Sequence, residues 1–329
     1  TLRPSARTFR ALLPLYPAAI ESFDFSDYDL VVTSSSAWAH AVLCDERTVH
    51  VCYCHNPFRY AWNDRDQTLA RHRNPVSRAF LRGVFRRWRQ WDWIAAQRTD
   101  RYVANSEATR ARIKAYFGRD ASVVYPPVDV GRFSPGRVGE HYAIVSELMP
   151  HKQIEVAIEA FNRLRRPLMI VGDGPDARRL RGLAGPTVTL TGRLSDEGVA
   201  DVLRRSRALI VTAVEEFGIA AVEAQASGRP VIARRGGGAL ETIVEGETGC
   251  WWTGGADELT QAVLDFDDLA VDPAACTANA RRFDSSAFRA GMLAEIERAT
   301  AAGARPAQGD RQPLAATRLV RRAVRDPHR

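Results

Sequence analysis

Two glutamates eight residues apart, Glu215 and Glu223, lie in the segment ALIVTAVEEFGIAAVEAQASGRPVIARRGGGALETIVEG, residues 208–246. ALIVTA reads as a strand, VEEFG as a short acidic loop and IAAVEAQAS as a helix that opens at about Ile219. Glu215 then sits in the loop and Glu223 one turn inside the helix. A helix N-terminus offers free N–H groups and the positive end of the helix dipole, which suit phosphate. Open parallel sheets bind ligands at the edge where such helices begin. A carboxylate beside a diphosphate would repel it, so the two glutamates are better employed accepting hydrogen bonds from hydroxyls. A nucleotide-sugar supplies both kinds of group. The plainer alternative is that Glu215 and Glu216 merely complement the helix dipole; it gives no reason for Glu223 inside a mostly apolar helix.

Elements that could hold such a site recur along the chain. Strand-like runs fall at 30–34, 49–55, 101–106, 122–127, 142–148, 167–174, 188–192, 208–213 and 230–235. Helical patterns lie between them at 154–164, with Ile154, Ala157, Ile158 and Phe161 on one face, and at 176–184, 196–206 and 219–227. Alternating strands and helices mean βαβ units and doubly wound parallel sheets. The Pro- and Gly-rich stretch 126–141 reads as a linker, so the expected domains are 1–137 and 138–283. They are followed by a helix over 284–300 and a basic, disordered tail over 301–329.

The segment 76–94, VSRAFLRGVFRRWRQWDWI, is a basic amphipathic helix with Val76, Phe80, Val84 and Trp88 repeating every four residues. Two uses fit it: an apolar face in the core with a solvated basic face, or contact with an anionic membrane surface.

Composition narrows the classes. The chain has 329 residues, 45% hydrophobic and 26% charged, which suits two globular domains and excludes a disulfide miniprotein or a wholly disordered chain. No apolar run approaches a membrane span, and the start does not read as a signal peptide. The net charge of +7 does not imply nucleic acid: residues 301–329 hold seven Arg and two Asp, leaving +2 for the rest, and no nucleic-acid motif is present. The five cysteines have no CxxC spacing and read as reduced thiols, placing the chain in the cytoplasm. Asp27/Asp29 and Asp64/Asp66 fit a DxD metal pattern but read as solvated loop carboxylates, and no metal site is expected. His55, after a strand, fits either a satisfied structural histidine or a cleft group.

The 208–246 segment resembles the E-x7-E signature of family 4 (group 1) retaining glycosyltransferases of the GT-B fold. SELMPHKQIEVAIEAF resembles that family's phosphate-binding strand, loop and helix, and VGDGP, LTGRLSDE and GGGALETI resemble its donor-site loops. VCYCHNPFRYAWN, RYVANSEATRARI and VVYPPVD resemble a bacterial mannosyltransferase-like branch. The likeness covers about residues 10–300. It implies two Rossmann-like domains facing a cleft, with the donor held by the second and the acceptor by the first.

It also implies roles. Glu215 would hold the donor sugar's hydroxyls, Glu223 the ribose and Lys152 the diphosphate. The backbone of Phe217, Gly218 and Ile219 would face the sugar and distal phosphate. Gly192, Arg193 and Leu194 would lie along the base, Gly172 and Gly237 in the donor-site loops, and His55 near the reacting centre. The implied donor is GDP-mannose and the acceptor a glycan or lipid-linked sugar, with no cofactor or metal required. Peripheral membrane contact through 76–94 would suit such an acceptor. The alternatives are a UDP-sugar user or a catalytically weak nucleotide-sugar-binding fragment. Two departures stand out: Glu147 replaces an Arg that many relatives carry five residues before the Lys, and nothing before Asp29 supplies their Gly-rich loop, so the first domain reads as truncated.

Overall fold

The computed structural model describes residues 12, 15–72, 74–267 and 271–303. They form two units: one takes the residues up to 103 with 113–122 and those from 291 on; the other holds 104–112 and 123–290.

The first unit is built on β1 (Leu30–Ser35), β2 (Val49–Cys54), β3 (Arg101–Ala104) and β4 (Ala121–Val123), hydrogen-bonded in that order. β1 and β2 are parallel, from Leu30 opposite Val49 to Ser35 opposite Cys54. Helices α1 (Tyr16–Glu21), α2 (Arg65–Arg71), α3 (Pro75–Ala96) and α4 (Glu107–Phe117) accompany these strands. The first half of α4 belongs to the second unit.

α3 departs from the expected apolar face. Val76 and Phe80 are 76% and 71% exposed, whereas Phe85, Asp92, Ala95 and Ala96 are buried. A four-residue repeat advances about 40° per step around a helix, so a stripe from Val76 to Trp88 wraps about a third of the way round. Its C-terminal end meets the core, where Trp88 and Trp91 pack beside Trp38 and Phe58. Its N-terminal end is left outside.

The second unit carries β5 (Tyr142–Val145), β6 (Leu168–Val171), β7 (Val188–Gly192), β8 (Leu209–Val211), β9 (Val231–Arg234) and β10 (Gly249–Trp252). All pairings are parallel, in the order β10-β9-β8-β5-β6-β7. The order reverses between β5 and β8, the mark of a doubly wound sheet. Its helices are α5 (Ile154–Leu164), α6 (Ala177–Leu183), α7 (Asp196–Arg205), α8 (Ile219–Ala226), α9 (Ala239–Thr242), α10 (Ala256–Asp267) and α11 (Pro273–Ala280). α5 buries Ile154, Ala157, Ile158 and Phe161, the face its spacing predicted. α7 starts where the Ser195 side chain accepts from the Gly198 N–H and carries Asp196 and Glu197 in its first turn, both favourable there.

The 126–141 stretch contains a single 3-10 turn, Val130–Arg132, and is pinned to the second unit. Val128 and Phe133 are buried, Val128 N–H donates to Phe283 O at 3.0 Å, and Gly139 N–H donates to Arg205 O at 2.7 Å. The last helix, α12 (Ser285–Gly303), begins in the second unit and continues in the first, where Glu295 pairs with Arg101 and Arg298. It outruns the expected 284–300 helix; the tail from residue 304 lies outside the described residues. None of the five cysteines is in a disulfide.

Candidate functional site

A parallel sheet puts the C-terminal ends of its strands on one edge. Lys152 follows β5 there, Gly172 follows β6, Gly192–Leu194 close β7, Glu215–Ile219 follow β8 and Gly237 follows β9. The side chains of Lys152 and Glu215 meet across the β5/β8 reversal: Lys152 Nζ donates to Glu215 Oε1 at 2.6 Å. Strands turn away to either side at such a reversal, leaving a crevice that a ligand can enter. In this chain the reversal holds a small cavity of about 20 Å³, lined by Ser146, Lys152, Thr212, Ala213, Glu215 and Gly218, among others.

Lys152 is held by its backbone. It ends a 3-10 turn, Pro150–Lys152, just before α5, and its carbonyl accepts from Thr212 Oγ1 at 2.6 Å. The next residue, Gln153, takes a left-handed conformation (φ 53°) that is costly for a residue with a Cβ. Its side chain accepts from Arg234. Glu147 is exposed. Arg193 is exposed, and Arg59 belongs to the first unit, where it lies 3.8 Å from Asp64.

Glu215 is placed by packing around its loop. Phe217 is buried against Tyr125 and Phe283, with ring centroids 5.7 and 5.4 Å away, so its backbone alone is left to face a ligand. Gly218 precedes α8 with φ 89°, a left-handed turn that presents the helix without a side-chain cap. A Cβ on Gly237 would stand 2.0 Å from Glu215 O, so the glycine loop after β9 can press directly on the acidic loop. Gly238 N–H donates to that same oxygen at 2.9 Å. Gly172 has a packing reason of its own: a Cβ there would meet Ser146 O at 1.9 Å.

Glu223 lies on α8, and burial raises its carboxyl above the ordinary carboxylate range, with Arg132 opposing the shift. A carboxyl raised in the folded state binds more protons folded than unfolded. Folding therefore bears its cost at neutral pH and loses that cost below the unfolded value. Glu223→Gln should raise the melting temperature by a few degrees at pH 7, with the gain fading towards about pH 4. The same change should weaken nucleoside-diphosphate binding about tenfold if Glu223 receives the ribose. Thermal melts at both pH values and calorimetry check the two halves; a variant less stable at pH 7 would contradict the first.

Three positions escaped the sequence reading. Arg112 reaches Glu216, next to Glu215, at 3.3 Å. Glu241 accepts from the Glu107 and Ala108 N–H groups at 2.8 and 3.2 Å, capping α4 from α9, the helix that follows the glycines. Arg132, in the 126–141 stretch, pairs with Asp196 at 3.2 Å and its charge favours the ionised Glu223. Their partners are distant in sequence, and no short spacing signals them.

His55 lies in the first unit. Its N–H donates to Ser35 O at 2.8 Å, just past the end of β2, and its Nε2 is 2.8 Å from Ser34 Oγ at the end of β1. Tyr53 stands edge-on at 5.1 Å. Burial pushes the imidazole below its ordinary value, so it is neutral at neutral pH.

Comparison with known proteins places the chain in a family. The family description "Glycosyltransferase Family 4" matches residues 1–132 and "Glycosyl transferases group 1" matches residues 140–266, together most of the chain. A GDP-mannose-dependent alpha-(1-6)-phosphatidylinositol monomannoside mannosyltransferase of Mycolicibacterium smegmatis is 35% identical over 51% of this chain and 52% of its own. The protein of that name from Mycobacterium tuberculosis is 33% identical over 58% and 56%. The chain thus spans about half the length of the curated relatives it matches. Sucrose-phosphate synthase from Thermosynechococcus elongatus superposes with a TM-score of 0.71 at 19% identity, covering 92% of this chain and 81% of that one. HepE from Anabaena, in complex with UDP, gives 0.64 at 18% over 88% and 83%. At such identity the likeness bears on the fold alone, two Rossmann-like parallel-sheet units of the GT-B type. On the matched family descriptions and these relatives, the chain belongs to the family 4, group 1 glycosyltransferases.

Proposed function

We propose that this chain transfers a sugar, mannose from GDP-mannose in the first instance, to a glycan or lipid-linked acceptor with retention of anomeric configuration. The observation that carries the reading is the Lys152–Glu215 pair at the sheet reversal, beside the uncapped start of α8. A cation, a helix N-terminus and a carboxylate there match a diphosphate bonded to a hydroxyl-rich ring. Breaking the bond between the anomeric carbon and the phosphate oxygen leaves negative charge on the diphosphate. Lys152 and the α8 N–H groups would stabilise that charge in place, without a metal ion in the scheme. Glu215 would hold sugar hydroxyls and Glu223 the ribose, both as positioning acceptors. The names of the mycobacterial relatives favour GDP-mannose. Thermal shift with GDP, UDP and ADP and their sugars tests the donor: the largest shift should come from GDP-mannose, and a preference for UDP-glucose would replace it.

A lipid-linked acceptor would bring the enzyme to a membrane face at the cytoplasmic side. Among the described residues no helix is long and apolar enough to cross a membrane. The exposed face of α3 carries Val76 and Phe80 beside the exposed Arg82, Arg86 and Arg87, apolar anchors flanked by cations. Sedimentation with phosphatidylglycerol vesicles should fall several-fold in a Phe80→Ser/Arg82→Glu variant and in high salt. Binding that survives both changes would remove α3 from the membrane contact.

A further inference from the structure

Asp92 is the single acidic residue of α3, a helix otherwise studded with arginine, yet it points inward and is 0% exposed. A buried carboxylate is costly unless paired, and a well-packed apolar residue of like size commonly serves stability as well. Its partners explain the placement. Asp92 Oδ2 accepts from Trp62 Nε1 at 2.7 Å. Oδ1 lies 3.2 Å from His40 Nε2, a contact off the hydrogen-bonding line of the ring.

Each partner belongs to a different loop. His40 is in the loop after β1, where its N–H donates to Ser35 Oγ at 3.3 Å and its carbonyl accepts from Thr99 Oγ1 at 3.4 Å. Trp62 ends the segment that begins with His55. That segment folds into a tight turn: Trp62 N–H donates to Phe58 O at 3.2 Å and Asp64 N–H to Arg59 O at 2.9 Å. The Trp62 ring is stacked on Tyr116 at 4.8 Å and 14°, with the Arg89 guanidinium over it at 5.6 Å. Trp38, from the first loop, and Phe58, from the second, meet at 4.2 Å beneath α3. Ser34 and His55, 2.8 Å apart, stand at the roots of these two loops, where β1 and β2 end.

We propose that Asp92 is a positioning residue for His55: through Trp62 and His40 it clamps the loops that follow β1 and β2 and fixes the imidazole at the sheet edge. The assignment rests on the reading of His55 as a group near the reacting centre. Apolar packing alone would hold the loops but leave the rotation of the Trp62 ring unspecified, whereas a hydrogen bond to a fixed carboxylate is directional.

The test uses the full-length protein with ring-labelled histidine, the His55 resonance being identified by its absence in His55→Ala. Trp62→Phe keeps the stacked ring and removes the donor; Asp92→Asn keeps an acceptor for Trp62; Asp92→Leu removes it. Trp62→Phe and Asp92→Leu should shift the His55 resonance and lower kcat about tenfold with donor KM within about twofold, while Asp92→Asn retains most activity. In a His55→Ala background Trp62→Phe should slow transfer no further, because its effect passes through His55. If Asp92→Leu fails to fold, Trp62→Phe still decides. An unmoved resonance in Trp62→Phe, or a loss that multiplies undiminished on top of His55→Ala, overturns the proposal. Should His55→Ala leave transfer unchanged, the reading of His55 falls, and the resonance still decides whether Asp92 positions it.

Discussion

Lys152→Ala should weaken GDP binding by about 1.5–3 kcal/mol, the range for hydrogen bonds to charged groups, and slow transfer about a hundredfold or more. Lys152 is one of two lysines in the chain, and Glu147, five residues before it, supplies no second cation. The ammonium is already engaged by Glu215 at 2.6 Å, so a diphosphate must compete for it. That competition moderates the binding loss and sharpens the kinetic one. As the bond to the sugar breaks, charge builds on the phosphate oxygens and the lysine favours them increasingly over the carboxylate. An interaction that strengthens along the reaction lowers kcat on removal more than it raises KM. Glu215→Gln provides the contrast: it loosens the lysine, leaves GDP binding undiminished and still slows transfer through the lost sugar contact. Calorimetry with GDP and steady-state kinetics on both variants check this. Equal loss of GDP affinity in the two would show that the lysine and the glutamate do not divide the donor between phosphate and sugar.

How far this arrangement was legible in the sequence follows from where the information lies. Strands β5 to β9 announce themselves as β-branched or aliphatic runs, and α5 keeps its apolar face at the spacing that a helix buries. Glu215 and Glu223 were legible for the same reason, since a strand, an acidic loop and a helix are contiguous there. β10 was not recognised: GCWW has no β-branched residue, and its place is set by pairing with β9 from Gly249 opposite Val231 to Trp252 opposite Arg234. α10 and α11 were passed over although both carry local signals. Leu259, Val263 and Phe266 share one face of α10, and Asp272 caps α11 ahead of Pro273. The stripe on α3 misled because a strict repeat of four drifts around the helix, and tertiary packing chose Phe85 and Asp92 over Val76 and Phe80. The Lys152–Glu215 contact spans 63 residues, and the order of β5 and β8 in the sheet creates it. No local pattern encodes that order.

His55→Ala should lower kcat about a hundredfold, within the range for a positioned acid, base or polar group, while the donor KM changes by less than about threefold. The imidazole follows β2, and Asn56-Pro57 turns the chain immediately after it. Its ring is neutral at neutral pH because burial pushes its value down. A neutral ring can hydrogen-bond a sugar hydroxyl without bringing a positive charge to a centre where positive charge develops. Acid should therefore be what disables it: kcat/KM should fall on the acid side, as the imidazole gains a proton, with a midpoint below the ordinary histidine value. The alternative, a purely structural histidine, makes the opposite prediction. One bond from the ring is to Ser34 Oγ on an exposed residue, and losing a hydrogen bond at such a place costs about 1 kcal/mol or less. A melting temperature within a few degrees of the parent, together with the loss of turnover, fits a group that works on the substrate. A large drop in melting temperature with unchanged turnover per folded molecule would return His55 to the scaffold.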